Sequence, residues 1–187
     1  NSGGDPQEIP NLTYQQLKDF YRIHYHPSNA VFLTYGDISA AEHQTKFEEL
    51  VLSHFDKSDA IITVTDEKRL LAPVAIEEYY ALDDAEQSGD KTHVVLAWLL
   101  GPSIDLETQL SMHLLSGVLL DNSSSPLRKA LETTELGSAP SPLCGLEDSN
   151  KEMTFMCGIE GSKAENAPLL QQLVFDVLSD VAENGIS

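Results

Sequence analysis

Basic residues are scarce in this chain: its 187 residues hold 11 Lys and Arg against 30 Asp and Glu, a formal charge of −19 with a sequence pI near 4.4. Affinity for nucleic acid rests mainly on Lys and Arg neutralising phosphates, so no nucleic-acid partner is expected. Long apolar runs are missing as well. The strongest, Val94 to Leu100, is strand-sized and far short of the roughly 18 to 20 residues that span a bilayer, so no membrane contact is expected and the chain reads as soluble. Cysteine is nearly absent. Cys144 and Cys157 suit a reducing compartment and read as thiols, although two cysteines also allow one disulfide. The first residues, Asn1-Ser2-Gly3-Gly4-Asp5-Pro6, lack a Met, a basic leader and an apolar segment. The last, Gly185-Ile186-Ser187, follow directly on a strong helical pattern. Both ends read as cut, and a piece of a longer polypeptide is expected.

What is present is ordinary globular material, 41% hydrophobic and 22% charged, in a length that can bury about 70% of its unfolded surface. Thr13 with Gln16 three places on forms a capping-box pattern, and Leu12, Leu17, Phe20 and Tyr21 make a helical stripe that Pro27 must end. A helix is expected from Thr13 to Tyr25. Ala30 to Tyr35 is short, β-rich and closed by Gly36-Asp37, which predicts a buried strand. Ser39 and Glu42 open a second helix, carried by Phe47, Leu50 and Val51 to about Phe55. Val74 to Tyr80 reads as another strand. Asp83 to Asp90 is almost free of apolar residues and marks either a domain junction or a long hairpin loop within one sheet.

Thr92 to Leu100 predicts a strand ended by Gly101-Pro102. Asp105 can cap a helix whose Leu106, Leu110, Leu114 and Val118 recur every four residues, the spacing of one buried face. Ser125 as N-cap and Pro126 at the first position open a short helix that Gly137 is placed to end. Strands are expected at Ser138 to Gly145 and at Glu152 to Glu160, the second alternating Met153, Phe155, Cys157 and Ile159 against Thr154, Met156, Gly158 and Glu160. Ser162 and Glu165 propose a capping box for the last helix, whose core stripe is Leu170, Leu173, Val174, Val177, Leu178 and Val181. Strands mixed with helices that must cover one sheet face predict an α+β, two-layer architecture.

Chemistry-bearing patterns are sparse. A zinc-peptidase helix needs two His four residues apart with a Glu nearby, and none of His24, His26, His43, His54, His93 and His113 is so spaced. His24 and His26 read as helix-end and packing residues, His43 as solvated, and His113, among Leu110, Met112 and Leu114, as packed. The chain has no G-x-S-x-G elbow, no thiol-protease motif around Cys144-Gly145 and no Walker or Rossmann glycine pattern. Glu77-Glu78 and Glu147-Asp148 are adjacent carboxylates that on a strand face opposite ways and read as solvated. No catalytic and no metal-ligating residue is assigned, and substrate-binding residues stay unknown.

Several segments, taken in order, carry a resemblance. Ser2-Gly3-Gly4-Asp5-Pro6, Ile9-Pro10, Leu12-Thr13, His24-Tyr25-His26-Pro27-Ser28-Asn29-Ala30 and Thr34-Tyr35-Gly36-Asp37 resemble one continuous stretch of the presequence-protease-like branch of the insulinase/pitrilysin zinc metallopeptidases. Ser124-Ser125-Pro126-Leu127-Arg128-Lys129-Ala130-Leu131 and Glu135-Leu136-Gly137 resemble that branch's second domain. The resemblance implies two-layer domains of the metallopeptidase/LuxS-like type, one of them incomplete: residues 1–70 as the C-terminal part of the first peptidase domain and 71–187 as most of the second, non-catalytic one. It implies a parent that degrades peptides in an enclosed chamber, with zinc held by an inverted H-x-x-E-H motif upstream of this stretch and no cofactor in this chain. Its partners would be the remaining domains of the parent polypeptide and, in the intact enzyme, peptide substrates. Its compartment would be a bacterial cytoplasm or an organelle matrix. The alternative is a structural or binding subunit of the same fold that has lost the metal site.

Overall fold

A computed structural model describes residues 3–60, 62–83 and 90–186, and the chain divides into two compact units, Asn1–Thr65 and Asp66–Ser187. In the first, α1 (Tyr14–His24) begins on the capping box that Thr13 and Gln16 spell out. The Gln16 amide donates to Thr13 Oγ1 at 3.2 Å, and the Thr13 amide donates back to Gln16 Oε1 at 2.8 Å. Ser39 Oγ accepts the Glu42 amide at 3.2 Å to open α2 (Ala40–Leu50). That helix stops short of the expected Phe55 because Val51 leaves helical geometry, and a single 3-10 turn, Leu52–His54, follows.

The expected strand at Ala30 to Tyr35 is not formed. The segment takes no regular secondary structure, and Val31 and Leu33 stand 96% and 93% exposed. β-propensity describes a fit to a half-buried sheet surface, so without a neighbouring strand the sequence preference has nothing to act on. None of the described residues in this unit is buried.

The second unit has a core. Its sheet runs β1-β4-β2, with β3 also paired to β4, and every pairing is antiparallel. The strands are β1 (Thr92–Pro102), β2 (Ala139–Pro140), β3 (Gly145–Glu147) and β4 (Glu152–Ser162). β4 is central because its inward side chains are apolar at every second position: Met153, Cys157 and Ile159 are fully buried and Phe155 half-buried. β1 lies against it in the register Val94↔Ile159, Leu96↔Cys157, Trp98↔Phe155. Gly158 makes this approach possible, since a Cβ there would sit 2.2 Å from the Val94 carbonyl oxygen. Gly161, at φ +63, occupies the one-residue register shift between Thr92 and Val94, as a left-handed bulge position requires.

Helices α3 (Leu106–Leu120), α4 (Pro126–Thr133) and α5 (Ala167–Asn184) supply the second layer. Leu119, Leu120, Leu127, Leu131, Leu170 and Val174 close over Cys157 and Ile159, with Leu173, Val177, Leu178 and Val181 half-buried beside them. The α5 stripe is therefore the one that its spacing predicts, and the unit is a mixed α+β layer of helices on a partial sheet.

Five local expectations are corrected. The face of α3 marked by Leu106, Leu110, Leu114 and Val118 points outward, while Leu119 and Leu120 enter the core. The single strand expected at Ser138 to Gly145 is split into β2 and β3, because Pro140 and Pro142 cannot donate to a ladder and a turn closes from the Cys144 amide to the Ser141 carbonyl at 3.1 Å. α4 ends at Thr133, before Gly137. Ser162 does not cap α5; its hydroxyl donates to the Leu136 carbonyl at 2.6 Å, and α5 opens after a 3-10 turn with Pro168 in its first turn. Val74 to Tyr80 takes no regular secondary structure, like Ala30 to Tyr35. The expected loop at Asp83 to Asp90 falls largely on residues 84–89, outside those described.

Replacing Leu131 by Ala, which empties a fully buried site, should cost about 2 to 5 kcal/mol in urea unfolding, whereas Leu110 to Ala in this chain should change stability by less than about 0.5 kcal/mol. Comparable costs at both positions would contradict the facing of α3.

Candidate functional site

The polar groups that the fold brings together lie at the end of the sheet where β4 begins. Glu152 is a buried carboxylate, and burial of a charge is tolerated only with partners. Arg69 donates to its Oε1, and the Glu67 amide donates to its Oε2 at 2.7 Å. Beside it Lys151 pairs with Asp66 at 2.6 Å. The Arg69 hydrogen bond, then the Glu67 amide, hold Glu152 below the usual carboxylate range, and the Lys151 hydrogen bond does the same for Asp66. These four side chains fasten residues 66–69 to the sheet. They are a structural clamp, with both charges of each pair already satisfied.

A second cluster joins α3 to the turn after β3. Asp148 Oδ2 lies 2.8 Å from His113 Nε2 and accepts from Gln109 Nε2 at 2.8 Å. The His113 bond, then the Gln109 bond, depress the Asp148 carboxyl. His113 is thus exposed and hydrogen-bonded to Asp148, not packed among leucines. Nor are Glu147 and Asp148 merely solvated, because Glu147 caps the turn by accepting from the Ser149 amide at 2.8 Å. No pattern in the sequence links positions 113 and 148. Only the α3–β3 packing creates the pair.

The remaining histidines are dispersed. His24 stacks on Phe20 one turn away, His26 Nδ1 accepts the Ser28 amide at 3.1 Å, and His43 stacks on Phe47. His54 lies by Ser53, and His93 is 4.0 Å from Glu160 and edge-on to Tyr80. Among the described residues, no group of three or more His, Cys, Asp or Glu side chains is placed to hold a metal ion. A catalytic zinc takes three protein ligands, and the His113–Asp148 and His93–Glu160 pairs offer two groups each. The described residues therefore do not fit a zinc centre. Cys144, in the turn before β3, and Cys157, on β4, are free thiols. Burial pushes Cys144 up, and burial with the neighbouring thiol pushes Cys157 up to about 12. A thiol so disposed is a core residue and not a nucleophile.

One family model matches residues 11–187, that of the Peptidase M16 inactive domain. The chain belongs to the M16 peptidase family. It is 35% identical over 185 residues to the mitochondrial presequence protease of Gibberella zeae and 34% identical over 186 residues to that of Xenopus tropicalis, in each case across 99% of this chain. Presequence protease 1, chloroplastic/mitochondrial, of Arabidopsis thaliana is 36% identical over 191 residues. The chain spans about 18% of the length of the first two relatives and 17% of the third. The likeness to the presequence-protease branch of the insulinase superfamily, first carried by the Ser124 to Leu131 and His24 to Ala30 segments, thus extends over the whole M16 inactive-domain match. No described helix of this M16 chain is long and apolar enough to cross a membrane.

The Glu152 clamp sets a pH dependence. Its folded pKa lies below the ordinary value of about 4.3, so its contribution is fully present above that value and is lost as pH falls through the lower folded pKa. The Glu67 amide resonance should shift with a midpoint below about 4.3, and Glu152→Gln should abolish the shift while opening Lys68 to trypsin at neutral pH. A titration midpoint above the ordinary value would contradict the clamp.

Proposed function

We propose that this chain is a non-catalytic segment of a zinc metalloendopeptidase that degrades peptides in an enclosed chamber, to which it contributes wall and packing surface. The observation that carries the proposal is the match of residues 11–187 to an inactive M16 domain, together with relatives named presequence protease that are about five times longer than this chain. In this reading residues 1–70 close a first peptidase domain and 71–187 form most of a second, both of the metallopeptidase/LuxS-like type. Zinc and the groups that use it belong to the rest of the polypeptide. No catalytic or metal-ligating role falls to any residue of this chain.

A first unit without a buried residue among those described fits that division, because a segment that small buries too little apolar surface to stand alone. Two free thiols fit a reducing soluble compartment, a bacterial cytoplasm or an organelle matrix. The partners are then the other domains of the same polypeptide and, within the chamber, peptides. A wall with a formal charge of −19 attracts cationic peptides over a Debye length of about 8 Å at physiological ionic strength.

Two measurements test the proposal. The purified chain should bind no stoichiometric zinc and cleave no peptide, while the intact polypeptide should bind zinc and cleave peptides. Zinc with peptidase activity in the isolated chain would overturn the assignment. In the intact enzyme a basic peptide should be cleaved faster than a matched acidic one at low salt, with the gap narrowing as ionic strength rises. Equal, salt-insensitive rates would remove the electrostatic part.

A further inference from the structure

Helix α3 has apolar side chains on both sides. One side, with Met112 half-buried and Leu119 and Leu120 buried, faces the core. The other presents Leu106, Leu110, Leu114 and Val118, which are 76%, 61%, 64% and 44% exposed, with Leu115 alongside. Single exposed leucines are unremarkable, but a contiguous apolar stripe marks an interaction surface. At 1.5 Å per residue the stripe is about 18 Å long. A helix that is hydrophobic all round belongs between two layers, and this structure supplies one of them.

The shape and charge of the stripe select its occupant. Leu106, Leu110, Leu114 and Val118 form a ridge along the i, i+4 row. Ser111 and Gly117 leave shallow ground beside it, the relief into which the ridge of a second helix packs. The Ser111 hydroxyl donates back to the Glu107 carbonyl at 2.8 Å, so covering it strands no polar group. Between Asp105 and Asp121 the sequence has no Lys or Arg. The carboxylates along the helix are Asp105, Glu107 and Asp121, and the one imidazole there, His113, is already held by Asp148 at 2.8 Å; the acidic rim complements Lys or Arg on whatever lies against it. More than four-fifths of the length of the relatives lies outside this chain, so ample polypeptide exists to supply such an element.

We propose that the outer face of α3 seats an apolar helix flanked by Lys or Arg, contributed by the remainder of the same polypeptide. The inference rests on the reading that this chain is a segment of a longer protein, and it goes further by naming the face, the packing mode and the charge of the occupant.

Cysteine footprinting tests it. Leu114→Cys is introduced in the 187-residue chain and in the intact polypeptide, with Gln172→Cys on α5 as an exposed reference, and maleimide labelling rates are compared. The expected result is rapid labelling at position 114 in the isolated chain, independent of protein concentration, and at least about tenfold slower labelling in the intact polypeptide, the loss that burial in an interface core produces. Adding Glu107→Lys to the intact polypeptide should speed labelling at 114 by setting like charges against each other. Equal rates at 114 in the two contexts would overturn the proposal. Protection in the isolated chain that grows with its concentration would also overturn it, by identifying a second copy as the occupant. No response to Glu107→Lys would remove the basic flank. Protection at 114 in an intact polypeptide that holds no zinc and cleaves nothing would leave this inference standing while the peptidase reading failed.

Discussion

The second unit depends on one contact surface, the inward face of β4 against α4 and α5. Cys157 and Ile159 are fully buried between β1 on one side and Leu127, Leu131, Leu170 and Val174 above. Burying each large aliphatic side chain contributes about 1.5 to 3 kcal/mol, so this cluster outweighs any surface ion pair in the chain. It also sets geometry. Because β4 is the strand to which β1, β2 and β3 are all paired, its register decides where the clamp at Glu152 and the turn at Glu147 to Asp148 can lie.

The face of β4 turned to the helices is closed. The outer face of α3 is open, and the irregular segments Ala30 to Tyr35 and Val74 to Tyr80 hold exposed apolar side chains outside any ladder. In the first unit the polar details of local structure are in place, including a complete capping box at Thr13 and a cap at Ser39, yet no described residue there is buried. Local hydrogen bonds can define a helix end; only long-range packing can bury a face.

The candidate site shows the same division. The lack of an H-x-x-E-H spacing is visible in the residues themselves. Invisible in the sequence were the Arg69–Glu152 and Lys151–Asp66 clamp, whose partners are more than 80 residues apart, and the His113–Asp148 pair. Charges so far apart in the chain meet because β4 starts beside the segment that enters the unit, and no periodicity encodes that meeting. Adjacent carboxylates such as Glu147-Asp148 look solvated in a sequence because their partners arrive from another element.

The sequence by itself determined the helices α1, α2, α3 and α5 with most of their starting caps, the alternation of β4, the α5 stripe and the family. Each of these follows from neighbours within about four residues or from a distributed pattern of identities. Tertiary structure alone decided which face of α3 is buried, whether Ala30 to Tyr35 and Val74 to Tyr80 are strands, how Pro140 and Pro142 divide a predicted strand, and where the isolated charges find partners. The physical reason is common to all four. A helix carries its own hydrogen bonds, whereas a strand, a buried face and a paired charge each need an atom from somewhere else in the polypeptide.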